Sequence, residues 1–142
     1  VFGTNSTERG RFSAAGGFSV GTTADPGLGS VYATGNVTAY YSDDRLKVKK
    51  GNIENALDKV LSLDGFHYEA NETANELGYV SKPEVGLSAQ QVQSVLPEVV
   101  VPAPIGNGYL TIQYDRVIPL LVEAIKQLNN KIVELQTKLE TK

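Results

Sequence analysis

The sequence predicts an α+β chain that ends in a long coiled-coil helix. Three observations carry that prediction. Glycine is concentrated at the start, with eight of the fourteen in residues 1–41. Between residues 42 and 116, apolar spacing switches repeatedly between helical period and strand alternation. From Ile118 to Leu139, apolar residues recur in a strict 3-4-3-4-3-4 pattern.

In the opening segment, Arg11-Phe12-Ser13, Phe18-Ser19-Val20 and Val31-Tyr32-Ala33 are β-prone pieces separated by turn residues such as Ala24-Asp25-Pro26-Gly27. Such pieces bury too little apolar surface to stand alone and need a neighbouring domain or another copy of the chain. Asn52 is a good N-cap for a helix carrying Ile53, Ala56, Leu57, Val60 and Leu61 on one face, with Gly65 as its stop. Phe66-His67-Tyr68-Glu69 alternates like a half-buried strand, and Asn71 to Leu77 forms a short helix closed by Gly78. Glu84 to Leu87 reads as a strand, followed by a helix capped by Ser88 and ended by Pro97. Val99 to Val101 and Tyr109 to Tyr114 read as strands joined by a loop containing Gly106-Asn107-Gly108. Asp115 can cap the terminal helix of about 24 residues, with Pro119 inside its first turn.

The heptad seam places Ile118, Ile125, Ile132 and Leu139 at a and Leu121, Leu128 and Leu135 at d. Such a narrow stripe calls for self-association, against the plainer alternative of a terminal helix packed on its own domain. Ile at a with Leu at d favours two strands, but no opposite-charge e/g pairs lock a dimer. Val122 and Ala124 broaden the apolar face at its N-terminal end. Dimer and trimer both remain open on spacing alone.

Composition excludes several function classes. Thirteen basic residues against sixteen acidic ones give a net charge of −3, all of it after residue 41. A chain with no basic stripe is a poor partner for nucleic acid or anionic lipid. The absence of cysteine removes disulfides, thiol catalysis and cysteine zinc sites. His67 alone makes no His-rich metal site or His-dependent triad, and no motif implies a metal or cofactor. No apolar run approaches the ~20 residues that span a bilayer. Val1-Phe2-Gly3-Thr4 is no secretory signal and reads as the start of a fragment. Without such a signal, the Asn-x-Ser/Thr triplets at Asn5, Asn36 and Asn71 read as chance matches.

Asp43-Asp44 reads as a solvated turn, and the glycines around Phe18 lack the lysine and following helix of a phosphate loop. One nucleophile–base pair remains, Ser42 and Lys47. A helix or an ideal strand turns positions five apart away from each other, so the pair needs a turn between its members or a meeting across two subunits.

Tyr41-Ser42-Asp43-Asp44-Arg45-Leu46-Lys47, then Ile53-Glu54-Asn55-Ala56-Leu57 and Leu63-Asp64-Gly65-Phe66-His67-Tyr68, resembles the C-terminal intramolecular chaperone auto-processing domain of bacteriophage tailspikes, tail fibres and endosialidases. Gly86-Leu87-Ser88-Ala89-Gln90-Gln91-Val92 through Leu96-Pro97-Glu98-Val99 is similar to its second motif, and Tyr114 through Ile125 to the start of its terminal helix. The resemblance implies a homotrimeric folding module, which would choose the trimer over the dimer. It implies self-cleavage at the Tyr41–Ser42 bond, with Ser42 as nucleophile and Lys47 as base, in one turnover. The expected divisions are residues 1–41 as the end of a fibre shaft, 42–116 as the chaperone auto-processing domain and 117–142 as the trimerisation helix. The expected partners are two further copies and the upstream fibre of the same chain. The expected location is a virion tail-fibre or tailspike precursor assembled in the host cytoplasm, from which the cut domain is released. A trimerisation module that never cuts and a receptor-binding fibre tip are the alternatives.

Overall fold

The computed structural model describes residues 1–38, 41–106 and 108–141. Asn107 of the expected loop and Lys142 of the expected terminal helix lie outside the described residues, as do residues 39 and 40 of the expected shaft segment. The chain divides into two compact units, Val1–Lys49 and Lys50–Lys142.

The first unit is a four-stranded sheet in the order β1 (Phe2–Thr4), β2 (Thr7–Phe12), β3 (Phe18–Val20), β4 (Val31–Ala33). The β1–β2 and β2–β3 pairs are antiparallel and β3–β4 is parallel. Strand β1 and its hairpin are additions to the sequence reading. Asn5 and Ser6 link β1 to β2 with φ of 51° and 59°. Positive φ at both central residues is the geometry that suits the twist of a two-residue hairpin, and Asn adopts it readily. Gly17 is a steric necessity, because a Cβ there would lie 2.4 Å from the carbonyl oxygen of Gly27. The unit closes almost no apolar core. Phe12 touches Phe2 and Phe18 at centroid distances of 6.1 and 5.0 Å, yet Phe12 stays 68% exposed.

The second unit holds the core. Its elements are α1 (Ala56–Leu61), β5 (Gly65–Tyr68), α2 (Glu72–Glu76), β6 (Glu84–Leu87), α3 (Ala89–Val95), β7 (Val100–Pro102), β8 (Leu110–Ile112) and α4 (Ile118–Glu140). Strands β5–β6 and β7–β8 form two separate antiparallel pairs. Ala56 and Leu57 of α1, Val92 and Leu96 at α3, Val99, and Val117, Leu120 and Ala124 at the start of α4 are buried together. Ser88 caps α3 by accepting from the Gln91 N–H, and Asn71 caps α2 by accepting from the Ala74 N–H at 3.0 Å.

Several expected boundaries move. Helix α1 begins at Ala56 rather than after Asn52, behind Asn55 in the left-handed region at φ 50°. Its open N-terminus is satisfied by tertiary structure: the Leu57 N–H donates to Gln127 Oε1 of α4 at 2.8 Å. Asn52 reaches Glu123 of α4 through its side-chain amide. Gly65 opens β5 instead of stopping α1, which ends at Leu61 with Ser62 as its C-cap. Tyr114 and Asp115 leave the expected strand and cap and form a 3-10 turn, Tyr114–Val117, that leads into α4 without a side-chain cap. The turn frees the Tyr114 hydroxyl to accept the Leu87 N–H at 3.1 Å.

Candidate functional site

Ser42 and Lys47 lie in the first unit and face each other across a single 3-10 turn, Asp44–Leu46. Along an extended strand, five steps would separate them by ~16 Å. The turn closes that gap: the Leu46 N–H donates to the Asp43 carbonyl at 3.1 Å and the Lys47 N–H to the Asp44 carbonyl at 3.2 Å. The Lys47 ammonium then donates to Ser42 Oγ and to the Ser42 carbonyl oxygen, both at 3.0 Å. The pair therefore meets within one chain. Both residues are exposed, and Tyr41 on the other side of the bond is 68% exposed.

The sequence builds this turn from its own short-range chemistry. Asp43 occupies the N-cap, where Oδ1 accepts the Arg45 N–H at 2.9 Å. The Arg45 guanidinium folds back on the same carboxylate, from Nε to Oδ1 at 3.0 Å and from a terminal nitrogen to Oδ2 at 2.8 Å. The guanidinium first, and the backbone N–H second, hold the Asp43 carboxyl below its ordinary value, with the Lys47 charge adding to the effect. The neighbouring Asp44 pairs with Lys49 at 2.9 Å. Adjacent carboxylates thus point to different cations, in keeping with a solvated turn. The Asp43–Arg45 fork is absent from the sequence reading, although Asp-x-Arg at a turn start is its visible signal.

A neutral lysine amine in this geometry has two compatible bonds. One N–H can remain on the Ser42 carbonyl while the nitrogen lone pair accepts the Ser42 hydroxyl proton. A neutral amine held in this way is placed to take the proton of the Ser42 hydroxyl. Among the described residues, no group of three His, Cys, Asp or Glu side chains is placed to hold a metal ion. His67 lies exposed in β5 opposite Val85.

The second candidate feature is α4, which carries two apolar faces. Leu120 and Ala124 are buried against the domain core, and Gln127 and Lys131 reach α1 at Leu57 and Asp58 along the same side. Ala124 therefore belongs to the intrachain face rather than to a broadened seam. Ile118, Leu121, Ile125, Leu128, Ile132, Leu135 and Leu139 all remain exposed, from 43% at Leu121 to 74% at Leu139. The helix packs on its own domain and still presents an unpartnered heptad stripe. No helix among the described residues is long and apolar enough to cross a membrane.

Comparison with known proteins adds an independent observation. Residues 42–101 match a peptidase family described as "Chaperone of endosialidase", and the match starts at Ser42. The long tail fiber protein Gp37 of Enterobacteria phage K3 is 41% identical over 117 residues, which cover 78% of this chain and 9% of that protein. The protein of the same name from Enterobacteria phage M1 is 37% identical over 124 residues, covering 86% of this chain and 47% of its own length. This chain thus spans less than half of these relatives.

Proposed function

Residues 42–101 are a chaperone-of-endosialidase domain in a chain similar to phage long tail fibre proteins, and from that premise we propose that this chain assembles a tail fibre as a homotrimer and then cuts itself at Tyr41–Ser42. The single observation that carries the cleavage reading is the 3.0 Å contact between Lys47 Nζ and Ser42 Oγ at the first residue of the family match.

The chemistry follows from the tether. Ser42 Oγ attacks the carbonyl carbon of Tyr41 through a five-membered ring while its proton passes to the Lys47 amine. The tetrahedral intermediate collapses by breaking the Tyr41–Ser42 C–N bond, and the released nitrogen takes up a proton. An ester now joins Tyr41 to Ser42 Oγ. Water hydrolyses it, leaving a carboxylate on Tyr41 and restoring the serine hydroxyl. The reacting atoms belong to adjacent residues, and such intramolecular geometry is worth effective molarities of ~10⁵ M or more. A lysine base must be neutral, and removal from water favours the neutral form. Lys47 is exposed in the single chain, so assembly supplies the dry surroundings and ties cutting to correct folding.

In this proposal residues 1–41 end the fibre shaft, 42–116 form the chaperone domain and 117–142 drive trimerisation. The open sheet of the first unit, with Phe2 and Phe12 exposed, supports a segment that needs other copies to bury its apolar face. Joining three chains first at the α4 seam raises the local concentration of the shaft segments and aligns them. Hydrolysis then removes the link to the chaperone, and the fibre's stability becomes kinetic. The fibre portion belongs to a phage tail, assembled in the host and freed of its chaperone by the cut.

Mass spectrometry of freshly folded protein tests the reading. Fragments of 41 and 101 residues are expected from the 142-residue chain, and both vanish in Ser42→Ala and Lys47→Ala. Cutting of Ser42→Ala at the wild-type rate overturns the serine mechanism. An intact wild-type trimer points to a module that assembles without cutting.

A further inference from the structure

The turn that holds Ser42 and Lys47 carries four other charged residues, and the structure sorts them into pairs. Asp43 is held by Arg45 through three hydrogen bonds, and Asp44 by Lys49. We propose that the Asp43–Arg45 fork is the positioning element of the Ser42–Lys47 pair, fixing the turn and opposing the charge of the carboxylate next to the nucleophile. The inference rests on the cleavage reading above and adds two residues to it.

Geometry carries the first half. Asp43 directly follows the nucleophile, and Arg45 precedes the base by two residues, so the fork spans the middle of the four residues between them. Both Asp43 oxygens are engaged by Arg45, one of them also capping the turn at its N–H. Loosening the fork releases the φ/ψ angles that bring Lys47 Nζ to 3.0 Å from Ser42 Oγ. Electrostatics carries the second half. Lys47 is among the charges that lower the proton affinity of Asp43, so this carboxylate lies within electrostatic reach of the base. A carboxylate beside the base therefore works against deprotonation of the serine. The guanidinium fixed on that carboxylate opposes its charge, as Lys49 opposes that of Asp44.

The two halves make a sign prediction that loss of fold alone does not produce. Asp43→Asn keeps a side-chain oxygen to cap the turn but removes the negative charge. Arg45→Gln removes the positive charge and leaves the carboxylate unopposed. Release of the C-terminal fragment by the full chain is followed against pH at low ionic strength, with assembled size checked for each variant. The acid limb of the rate profile is expected to move down in Asp43→Asn and up in Arg45→Gln. Each shift should be about half a pH unit, the effect of one unit charge a few ångströms away in a water-like dielectric. Both shifts should shrink in 1 M salt, where the Debye length is ~3 Å. If Arg45→Gln does not assemble, the Asp43→Asn shift decides by itself. An acid limb that stays in place or moves up in Asp43→Asn, with Ser42→Ala uncut, overturns the fork's role and leaves the cleavage reading intact. Continued cutting of Ser42→Ala overturns the cleavage reading, and this inference with it.

Discussion

Leu120 and Ile125 lie five residues apart on α4 and have different surroundings. Leu120 is fully buried in the domain core, whereas Ile125 is 66% exposed on the heptad stripe. Leu120→Ala removes three carbon atoms' worth of burial, about 2.4 kcal/mol at ~0.8 kcal/mol per methylene. A residual cavity adds to this, for a total of about 3–4 kcal/mol. For the unit Lys50–Lys142, a loss of that size lowers the melting temperature by roughly 12–30 °C at 4–8 °C per kcal/mol. Ile125→Ala leaves this intrachain core untouched and costs the isolated domain under about 1 kcal/mol. In the proposed trimer its effect falls on association. The assay is urea unfolding followed by circular dichroism at several protein concentrations, with light scattering for assembled mass. Leu120→Ala should lose stability even in a dilute, dissociated background made by Ile132→Asp and Leu135→Asp. Ile125→Ala should weaken the assembly while leaving that background unchanged. A Leu120→Ala cost below ~1 kcal/mol, or an Ile125→Ala cost as large as that of Leu120→Ala in the dissociated chain, would refute the assignment of the two faces.

The remaining predictions concern each unit separately. Gly17→Ala places a Cβ 2.4 Å from the Gly27 carbonyl oxygen, so the turn between β2 and β3 must open; amide exchange in β3 should accelerate at least tenfold, while Gly27→Ala, with no atom within reach of its Cβ, should report only its own positive φ. In the β5–β6 pair, the Tyr68 hydroxyl donates to Glu84 Oε2 at 2.7 Å. That bond, followed by Lys82, holds the Glu84 carboxyl below its ordinary value, and the same bond to Glu84 chiefly raises the Tyr68 phenol above 10.0. The stabilisation from Glu84 is therefore present above the unfolded carboxylate value and lost as pH falls through the lowered folded one. The contribution from Tyr68 is complete below the unfolded phenol value and lost as pH rises through the raised folded one. Exchange protection of the β5–β6 amides, measured against pH and corrected for intrinsic exchange, should form a plateau that declines at both ends. In Tyr68→Phe the alkaline decline should vanish and the acid one should shrink to the part that Lys82 supplies; an unchanged acid decline would disprove the link.

Local patterns were legible where they were sufficient causes. Ser88 and Asn71 cap helices as their types and positions suggest, because a cap needs one side chain and one N–H three residues on. The 3-4 repeat of α4 showed both a helix and its exposed stripe, since periodicity depends on the helix alone. The turn between Ser42 and Lys47 was legible as one of two options, beside a meeting across subunits, and Asp43 and Arg45 supply it from within four residues. The misplaced start of α1 has a different cause. Asn52 is a competent cap, yet the helix begins at Ala56 because Gln127, 70 residues away, satisfies the Leu57 N–H. Tyr114 likewise fits a strand locally and is drawn into a 3-10 turn, where its hydroxyl takes up the Leu87 N–H.

The amino-acid order alone determined the α+β class, the glycine-rich opening, the seam residues and the serine and lysine five positions apart. These depend on spacing along the chain, which folding does not alter. Tertiary structure decided which side of α4 turns inward, how α1 finds its first hydrogen-bond acceptor and which carboxylate answers to which cation. Those outcomes depend on groups distant in sequence, or on choices among equally near neighbours, and only packing and charge pairing in three dimensions select one.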